Sequence, residues 1–180
     1  MSLNTAVRNW TSQRVWVVGA SSGIGLALAQ ALISLGARVA VSARRAEPLL
    51  ALASAHPQQV LALPLNMTEN ADWDSAWNNI NSAWQGADWV VFCAADYTPI
   101  RAWELNRDRA AQLIDINFTG TLRGVATVLP DFLARGSGGI AIVASVAGYM
   151  GLPKSLVYGP TKAALINFAE SLYLDVKPKG

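Results

Sequence analysis

A tyrosine and a lysine four residues apart form the pattern in this chain with the clearest chemical use. Tyr158 and Lys162 would lie one turn apart on the same side of a helix. A phenol titrates near pH ~10, and bringing that value to about 7 takes roughly 4 kcal/mol. A cation about 4 Å away supplies about that much at an intermediate effective dielectric. The pair therefore predicts a general acid and base that works near neutral pH.

A serine precedes this pair by thirteen residues. Ser145 ends the apolar run 140–145, and its hydroxyl is predicted to hold a substrate oxygen beside the phenol of Tyr158. The alternative is that the tyrosine and the lysine are surface residues one turn apart, because Tyr-x-x-x-Lys is common by chance. The rest of the sequence decides between these two interpretations.

The composition indicates a single globular domain. The chain has 180 residues, of which 52% are hydrophobic and 14% charged, so it can bury a core and is not disordered. A net charge of +2 with scattered basic residues argues against nucleic acid and anionic membranes as partners. We see neither a transmembrane run nor a signal peptide pattern, and the one cysteine, Cys93, has no disulfide partner. We therefore predict a soluble, cytoplasmic protein without a metal site, with a loose lead-in over residues 1–12 and one domain over residues 13–180.

A glycine-rich turn follows the first predicted strand, residues 14–18, and opens the first predicted helix. Glycines let the backbone approach a pyrophosphate, and the helix N-terminus offers N–H groups and a positive dipole end. The spacing Gly-x-x-x-Gly-x-Gly lacks the lysine of a P-loop, which argues against a nucleoside triphosphate. An ordinary tight turn is the alternative, but a strand before it and a helix after it favour a dinucleotide site. The residues predicted to bind the cofactor here are Gly19, Ser21, Ser22, Gly23, Ile24 and Gly25.

Two arginines follow the second predicted strand, residues 38–42. In dinucleotide-binding folds an acidic residue at this place binds the 2′-hydroxyl of NAD, whereas an arginine accommodates the 2′-phosphate of NADP. Here Arg44 and Arg45 occupy the place, and no acid occurs before Glu47. The alternative is that both arginines only solvate the start of the next helix. We predict NADP(H) in preference to NAD(H).

Three further apolar runs, residues 60–65, 88–92 and 140–145, bring the number of predicted strands to five. Asn66 and Met67 follow the third strand and are predicted to face the adenine. Ala94 and Ala95 follow the fourth strand, where small side chains would let a dinucleotide pass. Strands that alternate with helices predict an α/β fold with a Rossmann-type, doubly wound parallel sheet. Ligands bind at the carboxyl edge of such sheets, where all of these residues would gather.

Aromatic residues fall into two groups. One group recurs at helical spacing and is predicted to pack a helix on the sheet: Trp73, Trp77, Ile80 and Trp84. The other group lies in loops and indicates an apolar pocket near the site, although aromatic residues often pack for stability alone: Tyr97, Trp103 and Tyr149.

Two long predicted helices, residues 104–135 and 155–177, are apolar on more than one face. Helices buried on two sides indicate a partner chain, so we predict a homodimer or homotetramer formed through them. Asn117 lies inside the first helix, although an amide is a mediocre helix former. It is either an exposed filler or a residue that reaches inward to hold a water.

In this order and spacing the features resemble the classical short-chain dehydrogenase/reductase family. The resemblance extends from Arg14 to Lys179 and includes the turn 19–25. It also includes the four residues that match the family's catalytic set: Asn117, Ser145, Tyr158 and Lys162. The resemblance implies hydride transfer between the nicotinamide of NAD(P) and a carbonyl or alcohol carbon of a small-molecule substrate.

The resemblance also implies a role for each of the four residues. Tyr158 would donate or accept the hydroxyl proton, and Lys162 would favour its ionisation and bind the nicotinamide ribose. Ser145 would position the substrate oxygen. Asn117 would hold a water that links Lys162 to solvent. Asn117, Tyr158 and Lys162 are also predicted to belong to the cofactor-binding residues. Members of the family commonly pair the two long helices into a four-helix bundle, which agrees with the predicted oligomer.

The sequence departs from the family pattern at three places. The family's Asn-Asn-Ala-Gly is Phe-Cys-Ala-Ala at residues 92–95, which removes groups that usually brace the central sheet. The family's Asp-Val is Asn66-Met67, which can still accept a hydrogen bond from adenine. The chain ends at Gly180, where family members normally continue, so we expect a sheet that lacks the sixth and seventh strands and the substrate loop. The alternative to an enzyme is a nucleotide-binding module without turnover, or a truncated subunit.

Overall fold

Five strands form one parallel sheet in the computed structural model, which describes residues 7–180. The strand order is β3-β2-β1-β4-β5, and every neighbouring pair is parallel. The strands are β1 (Arg14–Val18), β2 (Arg38–Ser42), β3 (Val60–Ala62), β4 (Trp89–Phe92) and β5 (Gly139–Ile142). The predicted doubly wound, Rossmann-type α/β fold is therefore confirmed. The first six residues of the predicted lead-in lie outside the described residues.

The predicted strand 60–65 is too long by three residues, because β3 ends at Ala62. Pro64 breaks no bond of the ladder, because β3 lies at the edge of the sheet and residue 64 faces away from β2. Backbone bonds to β2 continue on either side of Pro64. The Leu63 N–H donates to the Val41 carbonyl at 2.9 Å, and the Leu65 N–H donates to the Ala43 carbonyl at 3.0 Å.

Helices cover both faces of the sheet. They are α1 (Gly23–Ser34), α2 (Ala46–Ala55), α3 (Asn70–Trp84), α4 (Arg107–Ile114), α5 (Gly120–Arg135) and α6 (Tyr158–Val176). The single helix predicted over residues 104–135 is wrong in two respects. It begins at Arg107, because the Asn106 side chain caps it by accepting from the Asp108 and Arg109 N–H groups, each at 3.0 Å. A π-helical turn, Asp115–Thr119, also separates α4 from α5.

The tryptophan stripe of α3 packs on the sheet, as predicted. Trp73 and Trp77 are buried against Trp16 of β1, with ring centroids 5.7 Å and 6.0 Å from its ring. The Trp16 indole N–H donates to Ser42 Oγ at 2.9 Å, so this buried polar atom has a partner on β2. These contacts anchor the middle of the sheet, from which the loops that carry the site emerge.

An ion pair ties the start of β1 to the residue before β4. The Arg14 guanidinium binds both carboxylate oxygens of Asp88, and the Arg14 backbone N–H donates to the same carboxylate at 2.8 Å. Burial raises the pKa of Asp88, but the hydrogen bonds and charge of Arg14 outweigh burial and hold that pKa below its usual 3.8. The pair therefore fixes the two central strands at the edge of the sheet remote from the site.

Candidate active site

Glycines of the β1–α1 turn are required by close backbone approaches. Gly19 has a φ of +96°, and a Cβ there would overlap the backbone of Ala94 after β4. A Cβ on Gly25 would overlap the carbonyl of Gly19. The turn therefore packs tightly against β4 on one side and against the first turn of α1 on the other. This packing leaves the N-terminus of α1 pointing at open space along the carboxyl edge of the sheet.

A cleft of about 490 Å³ runs along this edge, above the ends of β1, β2 and β4. Apart from the catalytic set, twelve residues are predicted to bind the dinucleotide, and all of them except Arg45 line this cleft. The residues of this group that line the cleft are Gly19, Ser21, Ser22, Gly23, Ile24, Gly25, Arg44, Asn66, Met67, Ala94 and Ala95. Residues that the sequence did not single out as cofactor ligands also line the cleft, and they include Cys93, Asp96, Tyr97 and Ile116.

Arg44 and Arg45 have different surroundings in the fold. Arg44 is exposed and lines the cleft. Arg45 is outside the cleft lining, and its guanidinium donates to the Ser21 backbone carbonyl at 3.2 Å. Arg45 thus ties the end of β2 to the glycine turn, while Arg44 presents its charge to the cleft.

Tyr158 and Lys162 lie together at the start of α6. The Lys162 ammonium is 5.6 Å from the centroid of the Tyr158 ring, within the range of a cation–π contact. Lys162 is only 2% exposed, and its Nζ donates to the Val143 carbonyl at 2.9 Å, directly after β5. Tyr158 is half-buried. The spacing on the helix therefore places the cation and the phenol on one side, as predicted, and β5 supplies a fixed carbonyl for the cation.

Burial governs the titration of two neighbouring groups at this place. Desolvation lowers the pKa of the Lys162 ammonium below its usual 10.5, and the nearby Cys93 thiol partly offsets that effect. Desolvation likewise raises the pKa of Cys93 above its usual 9.0, against the pull of Lys162. The two shifts are consistent, because each group is partly removed from water and lies close to the other.

Ser145 follows β5 in an extended conformation, with φ −160° and ψ 155°. Its Oγ accepts a hydrogen bond from the Ala147 N–H at 3.2 Å and so caps a short 3₁₀ turn, Val146–Gly148. The hydroxyl proton remains available for an oxygen outside the chain, since the bond from Ala147 uses the hydroxyl oxygen as acceptor. The serine is half-buried and stands two residues beyond the carbonyl that holds Lys162.

Asn117 is fully buried in the π-helical turn, so the interpretation of it as an exposed filler is wrong. Its side-chain carbonyl accepts from the Asp96 N–H at 2.7 Å, and its amide donates to the Asp96 carbonyl at 2.8 Å. Both ends of the amide therefore bind the backbone of the loop that follows β4. Single π turns are common at functional sites, and here the turn aims an amide at that loop.

Asp96 of this loop and Arg109 of α4 escaped the sequence analysis as parts of the site. Asp96 accepts an ion-paired hydrogen bond from Arg109 of α4 at 2.8 Å. Neither residue belongs to a sequence motif. The only sequence signal for the pair is an acidic residue followed by a basic residue thirteen positions later. Of the three loop aromatics, Tyr97 lines the cleft, whereas Trp103 and Tyr149 are 78% and 79% exposed and lie outside its lining.

Within residues 7–180 no group of three or more His, Cys, Asp or Glu side chains is arranged to hold a metal ion.

None of the helices in the described part of the chain combines the length and apolarity needed to cross a bilayer.

Comparison with known proteins gives relatives along nearly the whole chain. The sequence model of the family described as short chain dehydrogenase matches residues 13–180. An uncharacterized oxidoreductase of Listeria monocytogenes is 34% identical over 169 residues, which cover 91% of this chain and 67% of that protein. Dehydrogenase/reductase SDR family member 7 of Mus musculus is 32% identical over 173 residues, which cover 92% of this chain and 51% of that protein.

Solved structures show the same architecture. The crystal structure of a short-chain dehydrogenase from Streptomyces avermitilis superposes with a TM-score of 0.90 at 29% identity. The match covers 94% of this chain and 62% of that chain. This chain therefore spans between about half and two thirds of the length of these relatives.

Proposed function

The chain belongs to the short-chain dehydrogenase family, and from this premise we propose that it is an NADP-dependent oxidoreductase acting on a small carbonyl or alcohol compound. Tyr158 is the general acid and base of this reaction. One observation carries the proposal: a buried ammonium, Lys162, is held against the phenol ring of Tyr158 at the edge of the sheet where the dinucleotide cleft lies.

The walls of the cleft fit a dinucleotide. Gly19 and Gly25 sit where a side chain would collide with backbone, so at these two positions the turn offers only main-chain atoms to a pyrophosphate. The start of α1 adds N–H groups and the positive end of the helix dipole. Asn66 and Met67 would face the adenine, and Ala94 and Ala95 leave room beside β4. NADP(H), when bound, supplies or accepts the hydride of the reaction.

Proton transfer is the work of the chain's own residues. The Tyr158 hydroxyl gives its proton to a substrate oxygen in reduction and takes it back in oxidation. The Lys162 ammonium offsets the negative charge that the phenol oxygen carries after losing the proton. Its bond to the Val143 carbonyl keeps the charge in place during both directions of the reaction. Lys162 would also bind the nicotinamide ribose.

Ser145 and Asn117 complete the proposed site. The Ser145 hydroxyl would donate to the substrate oxygen, since the hydrogen bond that it accepts from Ala147 leaves its proton unused. Both groups of the Asn117 side-chain amide bind the backbone of Asp96. A water linking Lys162 to solvent would therefore be held by the backbone of the π turn and not by this side chain. Residues 13–180 would act as one dinucleotide-binding domain in the cytoplasm.

Consumption of NADPH with a panel of ketones and aldehydes tests the proposed function, together with NADPH binding followed by fluorescence. We expect both binding and consumption. The alternative function is nucleotide binding without turnover, as in a module or truncated subunit. Binding without consumption by this chain and by a longer version that matches its relatives' length would favour that candidate.

Cofactor preference is tested at Arg44. An Arg44→Ala variant is expected to raise the KM for NADPH about tenfold, because a charge-assisted hydrogen bond of about 1.5 kcal/mol is lost. The KM for NADH should change by less than about twofold, since NADH has no 2′-phosphate. Steady-state kinetics with both cofactors measure the two values.

Arg101→Ala is the matched control, because Arg101 is exposed and lies over the Trp103 ring at 5.3 Å, outside the cleft lining. An equal loss with NADPH and NADH in Arg44→Ala, or better turnover of wild-type protein with NADH, would contradict the NADP assignment.

We also propose that two copies of the chain associate through α4 and α6. An apolar groove of about 480 Å³ runs between these helices. It is lined by Leu105, Ala110, Ile114, Phe118, Leu156, Val157, Pro160, Thr161 and Ala164. Exposed apolar side chains stand on it, among them Ile114 at 45% and Leu156 at 41%. An exposed apolar groove of this kind suits burial against a second copy of the chain.

Light scattering at micromolar concentration tests the association. Wild-type protein is expected to be a dimer or tetramer, and Ile114→Asp is expected to shift it toward smaller species, because a carboxylate would be buried without a partner. Leu50→Asp is the matched control, since Leu50 is 54% exposed on α2, away from the groove. A wild-type monomer at this concentration would remove the proposal.

A further inference from the structure

Tyr97 has a contact that no motif of the sequence indicates. Its ring meets the ring of Tyr158 edge-on, with centroids 5.1 Å apart and planes at 78°. Edge-to-face is a favoured arrangement of aromatic pairs. Tyr97 is also 54% exposed and lines the cleft. It therefore stands between the space for the dinucleotide and the proposed proton donor.

The backbone on both sides of Tyr97 is held in place. The Asn117 amide binds the N–H and the carbonyl of Asp96, at 2.7 Å and 2.8 Å. The Asp96 carboxylate accepts from Arg109 at 2.8 Å and from Thr98 Oγ at 3.2 Å, and Arg109 also donates to Thr98 Oγ. Bonds from α4 and from the π turn thus hold both neighbours of Tyr97. An exposed ring on such a support loses little freedom when it packs on another ring.

The Tyr158 ring is consequently in contact with two side chains from different parts of the chain. Lys162 approaches it from the next turn of the same helix, with Nζ 5.6 Å from the ring centroid. Tyr97 approaches it from the loop after β4. Lys162 places a positive charge beside the Tyr158 ring, whereas the Tyr97 ring restricts the orientation of the Tyr158 ring by contact. A phenol on the first turn of a helix needs such a support, because its ring can otherwise change rotamer.

We propose that Tyr97 is a positioning residue, which sets the orientation of the Tyr158 phenol through contact between the two rings. The inference rests on the proposed function, because orientation matters for proton transfer to a substrate oxygen. The ring of Tyr97 performs the role, and its hydroxyl takes no part.

Two substitutions distinguish the effect of the Tyr97 ring from the effect of the Tyr97 hydroxyl. Tyr97→Leu removes the ring and keeps apolar bulk, and we expect kcat with NADPH and the best ketone or aldehyde of the panel to fall about fivefold to tenfold. The thermal midpoint should stay close to that of wild type, and kcat is measured at saturating NADPH so that any change in the Kd for NADPH does not enter it. Tyr97→Phe keeps the ring and should restore kcat to within about twofold. Tyr149→Leu, at a residue that is 79% exposed, is the matched control and should have no effect.

A spectroscopic readout that needs no turnover accompanies the kinetics. The chain has four tyrosines, so labelling with 3-fluorotyrosine gives four ¹⁹F signals that single Tyr→Phe variants assign. In Tyr97→Leu the signal of Tyr158 should shift or broaden, while those of Tyr149 and Tyr173 stay in place.

The outcomes are distinct. An active wild type whose kcat and Tyr158 signal are unchanged in Tyr97→Leu would overturn the positioning role alone. Equal losses in Tyr97→Leu and Tyr97→Phe would also overturn it, because they would assign the effect to the hydroxyl. A wild type that binds NADPH but reduces nothing in the panel would overturn the proposed function, and the positioning role with it.

Discussion

Tyr158→Phe is expected to lower kcat by at least about 100-fold, the lower end of what a positioned general acid contributes. The substitution removes one oxygen and keeps the ring that contacts Tyr97 and Lys162. NADPH binding should therefore change by less than about twofold, since the walls of the cleft are untouched. Steady-state kinetics at saturating NADPH together with a fluorescence titration measure the two quantities on the same preparation.

Tyr149→Phe is the control for this result, because it makes the same chemical change on a tyrosine that is 79% exposed and outside the cleft lining. It should keep wild-type kcat. Turnover of Tyr158→Phe at more than about a tenth of the wild-type rate would show that another group moves the proton. The assignment of Lys162 as the supporting charge would then fail as well.

Gly25→Ala is expected to damage both stability and cofactor binding. The new Cβ would overlap the carbonyl of Gly19, and this neighbour is backbone that cannot swing aside. Forcing extra volume into such a contact costs about 1–3 kcal/mol in free energy of unfolding. The shift of α1 away from the turn should weaken NADPH binding at least about tenfold, because the helix N-terminus would leave its place at the cleft. Urea denaturation and an NADPH titration measure the two effects.

Gly151→Ala is the matched control. Gly151 lies in an exposed loop, and a Cβ there meets nothing within 4 Å. It should leave both the midpoint of unfolding and the Kd for NADPH unchanged. If Gly25→Ala binds NADPH as tightly as wild type, the dinucleotide does not use the start of α1, and the glycine turn has only a packing role.

Patterns within a few residues predicted a large part of this protein correctly. The run 14–18, the glycine turn and the helix after it are a strand, a turn and a helix in the structure. Such patterns are informative because burial, backbone freedom and helical period act on neighbouring residues. The same reasoning erred where a local feature changes the geometry: the Asn106 cap moves the start of the helix that was expected from residue 104, and a π-helical turn divides that helix.

The sequence by itself determined the fold class and the pairing of Tyr158 with Lys162, because a helix turn sets that spacing without help from other elements. Only the tertiary structure decided that Arg44 faces the cleft while Arg45 binds the Ser21 carbonyl. It also decided that Asn117 holds Asp96, 21 residues earlier in the chain, and so supports the contact of Tyr97 with the Tyr158 ring. Such contacts join loops from separate strands, and their partners follow from how the sheet is assembled and not from any spacing along the chain.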